Sequence, residues 1–460
     1  MKPLKPILQT LLRAAQAAAD PASATMAAWS TIIEQIEPSD VASMSVLSIG
    51  KAAPTMLRAA HARAIEVSRA WPGPEHVFIA GPEALMTSDI RGLSAHGFAV
   101  DHPLPTPRNL ATASACEAWL VSRPHEHTLI VLLSGGVSAH LCAPMIGITL
   151  EDIVQTTRLL QLHGATIHEL NTVRKHLERL KGGQMARCCS AKAIRVLAIS
   201  DVIGDDPAAI ASGPFSPDPT TYQQALDVLT KRGVHDRLPS VVRVLNEGVA
   251  GIHPETPKTA RAIVTSVDYH IVASNRIVVD AVVLAARDAG LDAFHSTHAV
   301  EGEAQQIGRA IAMRVEHEAL ARAHHAEPAW FCWVMGGEWT VDVGEATGAG
   351  GPSQELAVTA AMTWLTAQSA AQAATNVTGI TGLAGFVEIL AYSTDGLDGP
   401  TDAAGAMLEG ASLDALRRWD LPAVLESHDV YTALEAAGAL IRTGPTGTNV
   451  NHVAVMVWGM

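Results

Sequence analysis

Short apolar runs that stop at Gly, Ser or Asp and give way to helical sequence recur along this chain. They are "SVLSIGK" (45–51), "HTLIVLLSGG" (127–136), "IRVLAISDVIGDD" (194–206), "YHIVASN" (269–275), "WFCWVMGGE" (330–338) and "EILAYSTDG" (388–396). Each holds a Val-, Ile- and Leu-rich core of about four to eight residues, the pattern of a strand buried on both faces in a parallel sheet. Such a sheet needs helical crossovers, so the pattern commits the chain to an α/β fold. In open α/β sheets the loops after the strand C-termini line the ligand crevice. The residues that end these runs are therefore the first place to look for chemistry.

Helical periodicity predicts crossovers over Pro54–Val67, Leu110–Val121, Leu150–Leu162, Arg276–Ala289, Glu303–Glu318, Gln354–Ala367 and Ser412–Trp419. A length of 460 residues suggests two or three domains. The aperiodic, Pro- and Gly-rich "GVAGIHPETPK" (248–258) reads as the linker.

A formal net charge of -14 argues against a broad nucleic-acid surface, which needs a positive footprint. The five cysteines, Cys116, Cys142, Cys188, Cys189 and Cys332, form no C-x-x-C pair. Buried structural thiols in a reducing compartment are expected, rather than disulfides or zinc. No apolar run reaches the ~18–20 residues that span a bilayer. The N-terminus "MKPLKPILQTLLRAAQAAAD" has no acid before Asp20 and holds three basic residues. A first surface helix of a cytoplasmic protein is expected there, with a mitochondrial transit peptide as the alternative.

The strand-end motifs carry the candidate chemistry. In "SIGKAA" (48–53), Lys51 opens a helix where anions bind, without the full P-loop spacing; a solvated lysine is the alternative. In "LSGGVSAHLCAP" (133–144), Ser134, Gly135, Gly136 and Ser138 suit an anion nest or simply a tight turn. "LNTVRKHLERLKGGQMAR" (170–187) clusters Arg174 and Lys181 seven residues apart, on one face if the helix continues. An arginine fork there suits a carboxylate or phosphate. In "ISDVIGDDPAAIASGP" (199–214), Asp201 suits contact with a hydroxyl or a metal, whereas Asp206 suits a helix cap. "STDGLDGPTDAAGA" (393–406) sets Asp395 and Asp398 among glycines, as a metal or ribose contact or as an acidic turn. "TGPTGTNVNH" (443–452) offers hydroxyls, glycines and Asn449. Among the 20 histidines, His102, His140, His163 and His452 stand alone, and none is singled out.

Taken in order, these motifs resemble the glycerate 2-kinase family, also called hydroxypyruvate reductase-like, whose C-terminal half is termed MOFRL. The resemblance runs through "GKAA" (50–53), "DHPLPTP" (101–107), "SGGVSA" (134–139), "LNTVRKHLERLKGG" (170–183) and "SDVIGDDPAAIASGPFSPDPTT" (200–221). It continues through "GGEWTV" (336–341), "TDGLDGPTDAAGA" (394–406) and "TGPTGTNVN" (443–451). It implies a Rossmann-like parallel-sheet domain over 1–250, a mixed α/β domain over 259–460, and a cleft between them.

The resemblance also implies ATP- and Mg²⁺-dependent phosphorylation of D-glycerate, or a similar hydroxyacid, at its 2-hydroxyl. It places the catalytic lysine at Lys51, and the chemistry of the motif adds Asp201. Substrate contacts are expected from Ser134, Gly135, Gly136, Ser138, Arg174 and Lys181. Nucleotide contacts are expected from Gly336, Gly337, Glu338, Gly350, Gly351, Gln354, Glu355, Thr446 and Asn449. Asp395 and Asp398 are the metal candidates, and a homodimer is compatible with such a chain.

One loop departs from the family pattern. "GAGGPSQE" (348–355) stands where the family has "GGRNQE", so Pro352 replaces an arginine thought to act beside the lysine. Proline also removes a backbone N–H. Val137 replaces a glycine and His452 an aspartate of the same pattern. A cation from elsewhere, such as Arg108 or Arg442, a different hydroxyacid, or a weakened paralogue that binds without fast turnover would each account for Pro352. A nicotinamide-dependent hydroxypyruvate reductase is the rival enzyme class. It should show G-x-G-x-x-G between strand and helix, and neither "GEATGAGG" nor "LSGGVSAH" fits.

Overall fold

The computed structural model describes residues 7–34, 43–67, 70–263, 265–322, 330–378 and 386–459. The chain forms two compact units, one of residues 21–272 and one of residues 1–20 with 273–460. None of the described helices is long and apolar enough to cross a membrane.

In the unit of 21–272 the sheet comprises β1 (Met44–Ile49), β2 (Val77–Pro82), β3 (His96–Val100), β4 (Thr128–Leu133), β5 (Ala193–Ile199) and β6 (Ser266–Ala273). Their order is β3-β2-β1-β4-β5-β6. The pairings from β3 across to β5 are parallel. This is the doubly wound order, in which the chain reverses direction of winding between β1 and β4, and that switch point opens a crevice at the strand C-termini. β1 is buried at every position, as its unbroken apolar run requires. Helix Pro107–Val121 covers one face through Ala113, Cys116, Trp119 and Leu120, which join Leu47, Phe78 and Val131 in one core.

A helical layer forms a second core of Leu160, Val173, Tyr222, Leu229, Val241 and Leu245. Its helices start at written signals. Thr149–Asp152, Thr166–Glu169 and Thr221–Gln224 are reciprocal capping boxes, as is Thr106–Asn109 at the start of Pro107–Val121.

The other unit contains β7 (Asp292–His295), β8 (Val300–Glu303), β9 (Trp330–Thr340), β10 (Phe386–Ser393), β11 (Gly405–Leu408), β12 (Leu440–Ile441) and β13 (His452–Gly459). The order β12-β11-β10-β13-β9-β7, with β8 beside β9, mixes antiparallel and parallel pairs. Helices Ala304–Arg322 and Pro352–Thr378 pack on it through Ile311, Val315, Leu356, Ala360 and Trp364.

Two expectations need correction. The segment 248–258 is not a free linker. Thr256 is buried and donates to Asp218 at 2.9 Å, and Asp218 donates its backbone N–H to Pro257 at 2.8 Å, so the segment packs within the unit of 21–272. The first helix, Ile7–Ala19, packs on helix Asn275–Asp288 and β10, so the first twenty residues belong with the C-terminal unit. Its buried Ile7, Leu8, Leu11, Ala15 and Ala19 lie at helical spacing and need that partner.

Candidate functional site

Four strand ends of the parallel sheet bring their residues together. Lys51 follows β1, and its backbone N–H donates to the Gly135 carbonyl after β4 at 2.9 Å. Ser134 returns a backbone hydrogen bond to Ile49 at 3.1 Å. The two loops that flank the switch point are thus stitched to each other. Gly50 sits at φ +121, and a Cβ there would lie 2.2 Å from Ser134 Oγ, so only glycine permits this approach. The Ser134 hydroxyl accepts the Ala52 N–H at 3.0 Å and is buried. It therefore braces the start of helix Ala53–Glu66 and is not open to a ligand.

Behind Gly135 lies Asp201, at the end of β5. A Cβ on Gly135 would stand 2.4 Å from Asp201 Oδ2. Burial raises the Asp201 pKa, opposed by its own backbone N–H and by the Lys51 charge. On Gly136, at φ +92, a Cβ would meet Lys51 Cγ at 3.0 Å, His140 Nε2 at 3.3 Å and His102 Cδ2 at 3.4 Å. Lys51 is exposed, and its ammonium makes no ion pair or hydrogen bond among the described residues. Lys51, Gly135, Gly136 and Asp201, all expected from the sequence, meet in one place.

Sequence reasoning passed over three neighbours. His102, in the loop after β3, lies edge-to-face with His140 at 5.7 Å between ring centroids. Burial, then the Lys51 charge, lowers the His102 pKa to about 4. Burial, then His102 and Lys51, lowers that of His140 to about 3. Tyr269 on β6 carries a buried hydroxyl with no hydrogen-bond partner among the described residues, and burial and the charges of Asp206 and Asp201 raise its pKa. His102 lies in "DHPLPTP" (101–107) and His140 in "LSGGVSAHLCAP" (133–144), and membership of those motifs was the available signal for them.

The backbone beside this crevice is unusual. Asp205, Ala211 and Ser212 have φ of 56, 54 and 63, a region non-glycine residues seldom adopt. Ser212 Oγ donates to Asn171 Oδ1 at 2.8 Å and lies 2.7 Å from Ser138 Oγ. Ser138 is thereby tied to the strained turn rather than left free. Such strain persists only where the surroundings over-determine it, and it concentrates at functional sites.

Arg174 and Lys181 do not share a helix face. The helix Ile167–Lys175 ends before Lys181, which lies in the turns that follow. Lys181 is buried, donating to Glu178 at 2.8 Å and to the Ser138 and Leu141 carbonyls at 2.9 and 3.3 Å. It holds the 138–141 turn in place. Arg174 reaches Thr157 at 3.4 Å, with Glu178 and Cys142 as its charged or ionisable neighbours, and burial lowers its pKa. Lys181 is thus committed to the turn after β4, and Arg174 to the helical layer.

In the C-terminal unit the expected nucleotide residues separate into closed and open groups. Gly336 and Gly337 lie within β9, not in a loop. Cβ atoms there would stand 2.0 Å from Asn275 Oδ1 and 1.9 Å from the Val300 carbonyl, so these glycines admit close neighbours of the sheet. Glu338, next along the strand, is exposed. Gly350 and Gly351 are closed by Val430 and Asp398.

The helix that follows them is capped from outside. Asp398 accepts the backbone N–H groups of Ser353 at 2.9 Å and Gln354 at 2.8 Å. Gln354 Nε2 donates back to the Asp398 carbonyl and to Thr401. The anion position at this helix N-terminus is thus filled by the protein's own carboxylate. Burial raises the Asp398 pKa to about 6, against the pull of those N–H donors. This geometry favours capping over metal binding for Asp398. Glu355 is likewise internal, bonded to His428 at 2.6 Å and Gln305 at 2.9 Å.

The turn around Thr446 and Asn449 is more open. Cβ atoms on Gly444 and Gly447 would meet nothing within 4 Å. Thr446 donates to the Thr394 carbonyl at 2.6 Å, and Asn449 accepts the Asn451 N–H at 2.9 Å. Asp395 uses Oδ1 to accept from Ser393 and Leu397, and its Oδ2 accepts no hydrogen bond among the described residues. His452 accepts the Trp339 N–H at 3.1 Å, a task an aspartate could also perform. Arg442 is held by Asp402, Tyr431 and Glu435 at 2.7–3.1 Å, and Arg108 pairs with Glu83 and Asp101. Among the described residues no three His, Cys, Asp or Glu side chains form a metal cluster.

Comparison with known proteins adds sequence relatives and a solved fold. Residues 7–246 match a domain of unknown function, DUF4147, and residues 331–452 match the MOFRL family. A glycerate 2-kinase of Pyrococcus horikoshii is 37% identical over 77% of this chain and 76% of its own length. An Agrobacterium vitis protein, provisionally named a hydroxypyruvate reductase, is 34% identical over 98% of this chain and 94% of its own. The crystal structure of a Thermotoga maritima glycerate kinase superposes with a TM-score of 0.77 at 30% identity, covering 99% of each chain.

Proposed function

This chain belongs to the glycerate 2-kinase (MOFRL) family, and we propose that it transfers the γ-phosphoryl group of ATP to the 2-hydroxyl of D-glycerate. The observation that carries this reading is the placement of Lys51 and Asp201 on the two glycines of one strand-end turn at the sheet's switch point.

Phosphoryl transfer demands positioning and charge neutralisation more than covalent catalysis. The 2-hydroxyl oxygen attacks the γ-phosphorus, and the bond to the β–γ bridging oxygen breaks as ADP departs. Asp201 accepts the hydroxyl proton, a role its burial-raised pKa suits. The Lys51 ammonium, free of any internal partner among the described residues, balances charge on the transferring group. The Gly135–Gly136 turn has no Cβ, and that lets Asp201 and Lys51 close on it from their own strand ends.

Mg²⁺ bound with the nucleotide would neutralise phosphate charge, and one or two carboxylates of this chain would be enough to hold it. Asp395, with an oxygen to spare, is the better candidate of the two expected ligands. The turn of Thr446 and Asn449, which faces open space, is the favoured nucleotide contact.

The strand order is also that of dinucleotide-binding sheets, which is what favours a reductase as the second reading. The turn after β1 nevertheless holds one glycine and a lysine, "IGKAA", in place of the dinucleotide glycine pattern.

One assay separates the two. With ATP, Mg²⁺ and D-glycerate, the expected products are ADP and 2-phosphoglycerate. Phosphate at the 3-position would overturn the stated regiochemistry. NADH oxidation with hydroxypyruvate, without phosphoryl transfer, would overturn the kinase.

A further inference from the structure

The crevice at the strand ends lacks the carboxylate grip that the sequence assigned to Arg174 and Lys181. Lys181 is spent on Glu178 and on the Ser138 and Leu141 carbonyls, and Arg174 reaches Thr157 and lies beside Glu178. What remains around Gly136 is Lys51 on one side and two histidines on the other.

We propose that His102 is a substrate-binding residue, donating a hydrogen bond to the carboxylate of the hydroxyacid beside Lys51, with His140 as the positioning residue behind it. The proposal deepens the kinase reading and rests on it.

Three observations support it. First, Lys51 Cγ and His102 Cδ2 both close on Gly136, at 3.0 and 3.4 Å from where a Cβ would stand, so the two side chains meet the backbone at the same point. Both are exposed, so a ligand can reach them. Second, the ring of His140 is completely buried, and neither of its nitrogens has a hydrogen-bond partner among the described residues. Its Nε2 lies 3.3 Å from the same point. No hydrogen bond among the described residues holds this ring, so its hold on His102 is one of packing. Third, the two rings meet edge-to-face, at 83° between planes, which fixes the orientation of the exposed ring from beneath.

The chemistry is coherent. Beside the Lys51 ammonium, His102 stays neutral at physiological pH, so it adds a directed N–H without adding charge repulsion. Lysine supplies the point charge and imidazole the direction. Together they replace the two-point fork that an arginine would give.

Steady-state kinetics test this, with D-glycerate and ATP varied separately. His102→Leu is expected to raise KM for D-glycerate by about 10–100-fold, the scale of one hydrogen bond to a charged group, and to change KM for ATP by less than about twofold. His102→Gln, which keeps an N–H donor, is expected to recover most of the loss. His140→Ala is expected to raise the same KM, and His140→Phe, which keeps the ring and loses the nitrogens, to restore it.

An unchanged KM for D-glycerate in His102→Leu overturns the inference while leaving the kinase reading intact, because the wild-type chain still turns over. A rise in KM for ATP instead also overturns it. Failure of His140→Phe to restore KM overturns the positioning role. A wild-type chain that does not phosphorylate D-glycerate overturns both the reading and the inference.

Discussion

Gln354 and Asp398 hold each other at both ends. The Asp398 carboxylate accepts the Gln354 backbone N–H at 2.8 Å, and the Gln354 side-chain amide donates to the Asp398 carbonyl at 3.2 Å. The loop "GAGGPSQE" is therefore a clasp between two glycine-rich turns: Gly351 lets Asp398 approach, while Gly348 and Gly350 make room for residues 427–430.

The clasp gives stability a pH signature. The Asp398 pKa is raised to about 6 in the folded protein, above its unfolded value near ~4. A raised pKa means that this group's contribution is fully present below the unfolded value and is lost as pH climbs through the folded one. Denaturant unfolding of the wild type and Asp398→Asn between pH 4 and 7 should show a stability difference that shifts by up to ~3 kcal/mol across that window. A pH-independent difference would remove Asp398 as its source. Asp398→Ala leaves two buried N–H groups unpaired and should cost about 2–4 kcal/mol near pH 4, a cost that shrinks as pH climbs through the folded-state pKa.

Pro352 is the first residue of the clasped helix and is only half-buried. Proline is tolerated there because the first helical N–H needs no intrahelical acceptor. Pro352→Arg places at the turn the cation that the resemblance implies for this position. It should raise kcat at least about tenfold with little change in KM for D-glycerate, the pattern of an interaction made mainly in the transition state. An unchanged kcat would mean that another group already provides that charge.

Gly135 leaves no room for a methyl group, because its Cβ would stand 2.4 Å from Asp201 Oδ2. Gly135→Ala should push the carboxylate aside and lower kcat by about 10²-fold, as small misplacements of reacting groups do. Circular dichroism and the thermal midpoint should move little by comparison. A folded variant with wild-type kcat would remove Asp201 from the reaction.

Lys181 and Glu178 form a buried pair 2.8 Å apart. Lys181→Met alone strands a buried carboxylate and should destabilise by about 3–5 kcal/mol. The double variant Lys181→Met/Glu178→Leu should regain much of that loss. If Lys181 instead bound substrate, the single variant would raise KM at unchanged stability.

Much of the fold follows from local composition. Strands buried on both faces must be apolar throughout, so their runs and their Gly, Ser or Asp ends stand out in "SVLSIGK" and "HTLIVLLSGG". The residues at those ends, Lys51, Gly135, Gly136 and Asp201, come together because adjacent parallel strands end side by side. Capping boxes such as Thr149–Asp152 are just as local, each spanning four residues, although the helix limits read from the sequence rest on periodicity alone.

Partners distant in the chain were not readable. Seven-residue spacing put Arg174 and Lys181 on one helix face, but the helix stops at Lys175 and Glu178 claims Lys181. The cap of the helix beginning at Pro352 comes from Asp398, more than forty residues away. His102 and His140 look ordinary among 20 histidines until the sheet sets them against Gly136. Sequence alone determined the strands at the centre of the parallel sheet and the residues that end them, because burial on two faces constrains every side chain in the run; β2 and β3, toward one edge of that sheet, are not among those runs. Only the tertiary structure decided which polar groups remain free for a ligand, because each hydrogen bond or ion pair depends on two partners and the second is seldom nearby in the chain.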